Sequence, residues 1–254
     1  MNATICIFVM IIAPQIRSTL PGSVNSLTNI TAYPLSISQN LLRLQQTIPG
    51  DVRIVAVSKT KPASAIVEAY EAGQRIFGEN KARELVLKHA QLPPDIEWQF
   101  IGHLQSNKIK YIAAFISLIH SIDSLKLLGE VNREAMKNKR TIDCLLQFHI
   151  ATEETKFGLS PIEACQLLES DEYGTMKNIR ITGVMGMGSF TEDKSLTRKE
   201  FRTLVEYFRE LKSAYFMDEA FFREISMGMS GDYQIALEEG STMIRIGTTI
   251  FGNR

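Results

Sequence analysis

The chain has 254 residues, 44% apolar and 22% charged, which is enough to bury the core of one large α/β domain or two small ones. Its 28 Lys and Arg balance 28 Asp and Glu, and neither sign is gathered into a long block. There is thus no electrostatic case for a nucleic-acid or polyanion partner, and a small-molecule ligand is favoured. Cys6, Cys144 and Cys165 form no CxxC and cannot all pair, while the histidines at 89, 103, 120 and 149 lack HxxH or HExxH spacing. These counts argue against a disulfide-stapled secreted scaffold and a metal site, and for a reducing cytoplasm.

Residues 1–34 read as an extension outside the fold, a disordered stretch or a mis-assigned start. The apolar run Ile5 to Ile12 is too short to span a bilayer and lacks a basic n-region, although Ala3 to Pro14 resembles a weak h-region. The Asn29-Ile30-Thr31 sequon is then chance, because glycosylation needs secretion. From Leu35 to Thr47, Ile37, Leu41 and Leu44 share one helical face that Ile48 extends, with Ser36 or Ser38 as the cap. This reads as a lid helix ahead of a barrel. Pro49-Gly50 breaks the chain, and Val52 to Val57 (VRIVAV) has the β-branched, near-continuous apolar character of a strand buried on both faces.

From there the two periodicities alternate. Strands are predicted near 52–58, 74–77, 97–101, 117–120, 142–149, 179–185, 223–226 and 243–246, and helices near 62–72, 80–91, 106–114, 124–138, 160–170, 197–215 and 232–239. Strands and helices in strict alternation imply an α/β fold, a single (β/α)8 TIM barrel over residues 35–254, with a doubly wound open sheet as the alternative. No internal repeat and no Pro/Gly-rich linker marks a second domain.

Both folds place ligands at the C-terminal ends of the strands, where the unusual residues fall. Lys59 follows strand one and shares a side with Val57, Val55 and Arg53, opposite Ala56, Ile54 and Val52. If that set points inward, Lys59 crowns it, and an amine at an apolar rim loses hydration and becomes a nucleophile toward aldehydes. A solvated loop lysine is the bland alternative. Pro62 should aim the rival Lys61 at solvent.

Ser226-Met227-Gly228-Met229-Ser230-Gly231-Asp232 is a glycine-punctuated turn between strand and helix. Such a turn lets backbone amides approach an anion, and it is either a phosphate cradle or an ordinary capped helix start. Arg245-Ile246-Gly247-Thr248 ends the last strand, and barrel phosphate sites often lie between the loops after strands seven and eight. Arg245, between Ile244 and Ile246, is either an interior charge facing a ligand or an outward ion-pair member. A reactive lysine, a phosphate cradle and an arginine suit a phosphorylated aldehyde, and pyridoxal 5′-phosphate is the natural candidate. An arginine at its pyridine nitrogen would keep that nitrogen unprotonated and weaken the ring as an electron sink.

Five ordered motifs carry a resemblance: Ala56-Val57-Ser58-Lys59-Thr60-Lys61-Pro62, Phe77-Gly78-Glu79-Asn80, Phe100-Ile101-Gly102-His103-Leu104-Gln105-Ser106-Asn107-Lys108, Ser226-Met227-Gly228-Met229-Ser230 and Arg245-Ile246-Gly247-Thr248. Together they resemble the pyridoxal phosphate homeostasis proteins over Leu35 to Arg254. The resemblance implies a barrel like the N-terminal domain of alanine racemase without that enzyme's second, all-β domain. It implies a Schiff base on Lys59, phosphate contacts from Ser230, Gly247 and Thr248, Arg245 at the ring nitrogen and Asn80 beside the ring, with Met229 also in the cofactor site.

Two positions depart from the family pattern, Gln99 for the usual histidine and His103 for a frequent proline, and both are expected to retune the pocket mouth. The Phe157-Gly158 pair is a smaller variation. The implied function is storage, buffering and delivery of the cofactor to apoenzymes by a non-catalytic, cytoplasmic monomer. The alternative is an amino-acid racemase, which needs a second base; Tyr111, Tyr173 and Tyr233 are the tyrosines to consider. An aldolase-type Schiff-base enzyme is a third reading, set apart by the absence of a chromophore.

Overall fold

The computed structural model describes residues 35–152 and 157–253. The expectations for residues 1–34 lie outside them. The apolar runs form eight strands: β1 Arg53–Val57, β2 Ile76–Glu79, β3 Glu97–Phe100, β4 Leu118–Ile122, β5 Ile142–Phe148, β6 Ile179–Gly186, β7 Glu224–Met229 and β8 Met243–Ile246. Every pairing is parallel, and β8 returns to β1 with Val55 opposite Arg245 and Ala56 opposite Ile246. This closure settles the choice of fold, because a doubly wound sheet keeps two open edges and a barrel has none.

Among the described residues the helices are α1 Ile37–Thr47, α2 Ala63–Glu71, α3 Ala82–His89, α4 Ile109–Ile112, α5 Leu125–Lys137, α6 Pro161–Glu169, α7 Asp171–Thr175, α8 Lys194–Tyr215, α9 Tyr233–Glu238 and α10 Thr248–Phe251. The helix predicted near 106–114 is a 3₁₀ turn at Ser106–Lys108 followed by the single turn of α4. α10 was not predicted, since Gly247 and Gly252 bracket too few residues for a helical period to build up.

Ser36, not Ser38, caps α1, forming a reciprocal pair with Gln39. α1 buries Leu41 and Leu44 and packs on α2 and α10, where Asn40 Nδ2 donates to the Ile250 carbonyl at 3.1 Å. It is therefore part of the side wall of helices rather than the lid expected of it.

The two-residue period of the strands sorts the core into two layers. Val55, Leu118, Leu145, Met185 and Met243 meet inside the barrel, with Ile76, Ile101 and Met187 against them. Their alternates, among them Ala56, Phe77, Trp98, Ile119, Cys144 and Ile244, pack under the helices. Each buried aliphatic side chain of this kind contributes about 1.5–3 kcal/mol. At the N-terminal ends of the strands, Arg53 pairs with Glu97 at 3.1 Å and Glu224 at 3.3 Å, and Arg180 makes two 2.8 Å hydrogen bonds to Asp143. These ion pairs line a cavity of about 320 Å³ at that end and bond one another, whereas barrels of this kind take their ligands at the C-terminal mouth.

Candidate cofactor site at the C-terminal mouth

Val55 lies in the inner layer and Ala56 in the outer one, so the inward set of β1 is the predicted one. The register pairs Val57 with Gly78, and Ser58 N donates to the Gly78 carbonyl at 3.1 Å. Lys59 and Asn80 are the next residues of the two inward sets, side by side at the top of β1 and β2. Lys59 is half-buried.

The turn that carries Lys59 is held in an unusual conformation. Thr60 has φ of 65°, a left-handed value that costs a non-glycine residue about 1–2 kcal/mol. Its N–H donates to Glu84 Oε1 at 2.6 Å. The expectation for Lys61 is overturned: its ammonium donates to the carbonyls of Phe251, Gly252 and Asn253 at 3.0, 3.1 and 3.3 Å. The left-handed Thr60 returns the chain toward β8, where the end of α10 presents partial negative charge. With the Lys61 amine committed there, Lys59 is the lysine of this motif on the inward set.

Behind the turn, on the outward side, lies a polar cluster that the sequence reading missed. Ser58 Oγ donates to Glu79 Oε1 at 2.6 Å, and Lys88 Nζ donates to the Ser58 carbonyl, Glu79 Oε1 and Glu84 Oε1 at 2.7, 2.7 and 2.6 Å. Burial raises the pKa of Glu79 against the opposing pull of Lys88 and Ser58, and its Oε2 has no hydrogen-bond partner. Burial would raise Glu84 as well, but Lys88 and the Thr60 N–H outweigh it and lower the value. Glu84 and Lys88 stand four residues apart on α3, a spacing that in sequence reads as a surface ion pair. Nothing local announces that Lys88 is buried.

Across the barrel interior runs a second chain of polar contacts. Arg245 is 4% exposed and points inward, which resolves the choice left open for it. Its guanidinium donates to the Ser226 carbonyl at 2.8 Å, Ser226 Oγ at 2.7 Å and the Gly186 carbonyl at 2.9 Å. All are neutral acceptors, and burial lowers its pKa to about 10, so it stays cationic at neutral pH.

Ser226 Oγ lies 3.0 Å from His120 Nδ1, and His120 Nε2 lies 2.7 Å from Gln99 Oε1. Burial, reinforced by Arg245 and Arg53, holds the His120 pKa well below its usual value. A neutral imidazole donating from Nε2 to the Gln99 oxygen accepts at Nδ1 from the Ser226 hydroxyl. Gln99 is fully buried and therefore belongs to the barrel interior, not to the pocket mouth where it was expected. The signal for His120 was available: it interrupts an apolar strand, as Arg245 does. His103 does lie in the mouth region, stacked on Phe157 with ring centroids 4.3 Å apart and 3.5 Å from Asp123.

The strand-seven and strand-eight loops meet as expected. Gly247 N donates to Ser230 Oγ at 3.3 Å. The β7–β8 register shifts between Ser226 and Met229, which brings Met229 opposite Arg245. Gly228 has φ of 91°, and a Cβ there would lie 2.6 Å from that of Ala236, so this turn accepts only glycine. Thr248 is exposed and opens α10, whose first amides have no intrahelical acceptor. Met229 is the exception among the predicted cradle residues, because its N–H donates to Asp232 Oδ1 at 2.5 Å.

Asn80 Oδ1 is buried without a hydrogen-bond partner. A Cβ on Gly102 would come within 2.5 Å of the Asn80 carbonyl, so the backbones after β2 and β3 touch there. A cavity of about 540 Å³ opens beside Asn80, lined also by Phe100, His103, Leu104 and Tyr111. Tyr173 and Tyr233 pack against the outer layer instead. Among the described residues no group of three His, Cys, Asp or Glu is placed to hold a metal ion.

A closed parallel barrel with a lysine, an arginine and paired glycine-hydroxyl loops at its C-terminal mouth defines a class, and the family described as alanine racemase, N-terminal domain, matches residues 35–254. The pyridoxal phosphate homeostasis protein of Aquifex aeolicus is 37% identical over 80% of this chain and 87% of its own length. The human protein of the same name is 38% identical over 86% of this chain and 82% of its own. The structure of PipY from Synechococcus elongatus with PLP bound superposes with a TM-score of 0.77 at 34% identity, covering 85% of this chain and 100% of that one. Alanine racemase from Bacillus anthracis, 19% identical with a TM-score of 0.68 over 86% of this chain and 56% of its own, shares the fold. The chain belongs to the pyridoxal phosphate homeostasis protein family.

Proposed function

We propose that this protein binds pyridoxal 5′-phosphate at the C-terminal mouth as a Schiff base on Lys59, and that it stores, buffers and delivers the cofactor without turnover of its own. The observation that carries the reading is the placement of Lys59 on the inward set of β1, beside the junction of the strand-seven and strand-eight loops. The residues present fit the group. Asn80 brings a buried amide oxygen that lacks a partner, Arg245 an interior cation bonded only to neutral acceptors, and Ser230 with Gly247 a hydroxyl and an N–H already in contact. The PLP-bound PipY structure supports the same assignment.

Bound there, the cofactor would supply an aldehyde for the Lys59 amine and a ring able to take up electrons. The side chains divide the remaining work. Ser230, Gly247 and Thr248 offer donors to a phosphate, joined by Met229 if Asp232 releases its amide. Arg245, fixed by Ser226 and Gly186, presents a donor that has no proton to give up near neutral pH, so a ring nitrogen facing it stays unprotonated. Asn80 flanks the ring.

That electronic setting disfavours chemistry that uses the ring as an electron sink, such as transamination, but leaves both cofactor carriage and racemisation open. The racemase reading needs a second base, and of the three tyrosines only Tyr111 lines the neighbouring cavity. A cytoplasmic monomer handing the cofactor to apoenzymes is in keeping with the balanced charge. No helix among the described residues is long and apolar enough to cross a membrane.

The test is an absorption spectrum of the purified protein, before and after addition of pyridoxal phosphate. A visible band that borohydride bleaches, with the reduced adduct mapped to Lys59 by mass spectrometry, is expected, and Lys59→Ala should abolish both. Protein that stays colourless with added cofactor refutes the proposal. Chiral analysis after incubation with amino acids separates carrier from racemase.

A further inference from the structure

Ser58 and Thr60, the two neighbours of Lys59, are each bonded by a charged side chain of α3. Lys88 donates to the Ser58 carbonyl at 2.7 Å, and Glu84 accepts from the Thr60 N–H at 2.6 Å. Glu84 and Lys88 also bond each other at 2.6 Å. The grip is completed by Glu79, which takes the Ser58 hydroxyl at 2.6 Å and the Lys88 ammonium at 2.7 Å. We propose that Glu84 and Lys88 form a clamp from α3 that sets the position of the Lys59 amine, making them positioning residues for covalent cofactor binding.

Three features argue for a positioning role beyond general stability. First, the clamp spends its bonds on the backbone of one turn. Lys88 reaches the peptide group just before Lys59 and Glu84 the one just after it, so the position and direction of the Lys59 Cα–Cβ bond are fixed from both sides. Second, the turn needs holding. Thr60 is one of two non-glycine residues with positive φ among those described, and a left-handed threonine persists only where its surroundings over-determine it. Third, the cation is placed at a cost in solvation. Lys88 is 7% exposed beside a fully buried Glu79, and well-packed apolar residues often match the stability of such a buried pair, so packing alone does not call for it.

Covalent capture asks for such a device. A lysine on a four-carbon stem loses much rotamer freedom on reaching one carbonyl carbon, and fixing its backbone in advance removes part of that penalty. The clamp stands on the outward face of β1 and β2, so Glu84 and Lys88 act on the Lys59 turn from behind.

The inference rests on the cofactor assignment above, and its test separates the two. Glu84 is suited to substitution because it lies at the edge of the cluster, with 24% of its side chain exposed. Glu84→Ala removes the Thr60 contact, whereas Glu84→Gln keeps an amide oxygen able to accept it. Two measurements are made on the full chain: hydrogen exchange of residues 58–61 in cofactor-free protein, and the rate at which hydroxylamine captures pyridoxal phosphate from loaded protein.

Glu84→Ala is expected to accelerate both by about tenfold, the loss of one hydrogen bond to a charged group. Glu84→Gln should recover most of the difference, and exchange in β4 to β6 should be unchanged. Unchanged turn exchange and capture in Glu84→Ala overturn the clamp, as does acceleration spread evenly over the barrel. If the unmodified protein forms no borohydride-reducible adduct, the cofactor assignment fails, and turn exchange alone then decides whether α3 fixes Lys59.

Discussion

The two halves of the mouth are held from different places, one from a neighbouring helix and the other from within its own loops. On the β1–β2 side, charged side chains from α3 and the end of α10 grip the turn that carries Lys59, with contacts of 2.6–3.3 Å. On the β7–β8 side, glycines shape the backbone, Asp232 accepts from the Met229 N–H at 2.5 Å within its own loop, and the contact between the two loops is the neutral one of Gly247 N to Ser230 Oγ at 3.3 Å. The difference suits what each half is proposed to hold. A covalent bond forms at one atom and needs that atom fixed beforehand. A phosphate presents several acceptor oxygens and is met by backbone amides that adjust at little cost.

The sharpest way to break the comparison is Gly228→Ala. The substitution forces a Cβ to within 2.6 Å of Ala236 at φ of 91°, and should cost about 3 kcal/mol of stability in a urea titration. Phosphate recognition should collapse with the turn. Pyridoxal, which lacks the phosphate, should still be trapped at Lys59 by borohydride, because the other half is untouched. Loss of pyridoxal trapping as well would mean that the halves are not independent.

Arg245→Met comes next. It removes the interior cation but leaves the strand buried, and should weaken pyridoxal phosphate binding by about 2 kcal/mol in an equilibrium titration. The shift should be the same for pyridoxal if the arginine meets the ring, as proposed, and not the phosphate.

A smaller effect comes from pH. Burial holds the His120 pKa well below the usual 6.5. The unfolded chain therefore takes up a proton there near pH 6.5 and the folded chain does not. The contribution is fully present above that value and declines as pH falls, by about 1 kcal/mol between pH 6.5 and 5.5. His120→Asn should flatten this slope in urea titrations at the two pH values. The mildest change, Ser230→Ala, removes one neutral hydroxyl and should lower pyridoxal phosphate affinity by about 1 kcal/mol while leaving pyridoxal affinity unaltered.

The pattern of legibility matches the contrast between the halves. The β7–β8 side could be read from consecutive residues, because a glycine that bends the backbone and a serine that lends a hydroxyl act where they stand. The strand set was equally plain, and the two-residue period correctly put Val55 and Arg53 on the side of Lys59. The α3 clamp could not be read. Glu84 and Lys88 at a helical spacing look like a solvated pair, and only the packing of α3 on β2 turns them toward Ser58 and Thr60. Lys61 was misjudged for the same reason, since its partners lie about 190 residues further along the chain.

By itself, the sequence determined the alternation of strand and helix, the inward set of β1, the glycine loops and the family, because periodicity and backbone demands are local properties. The tertiary structure alone decided that the sheet closes, that Arg245 and Gln99 face the interior with His120 and Ser226 between them, and that α3 holds the turn around Lys59. The first depends on pairing the first strand with the last, and the other two on desolvating polar groups against partners distant in sequence. Burial of that kind is fixed when the barrel closes; His120 and Arg245 mark it by interrupting apolar strands, whereas Glu84 and Lys88 carry no local mark of it.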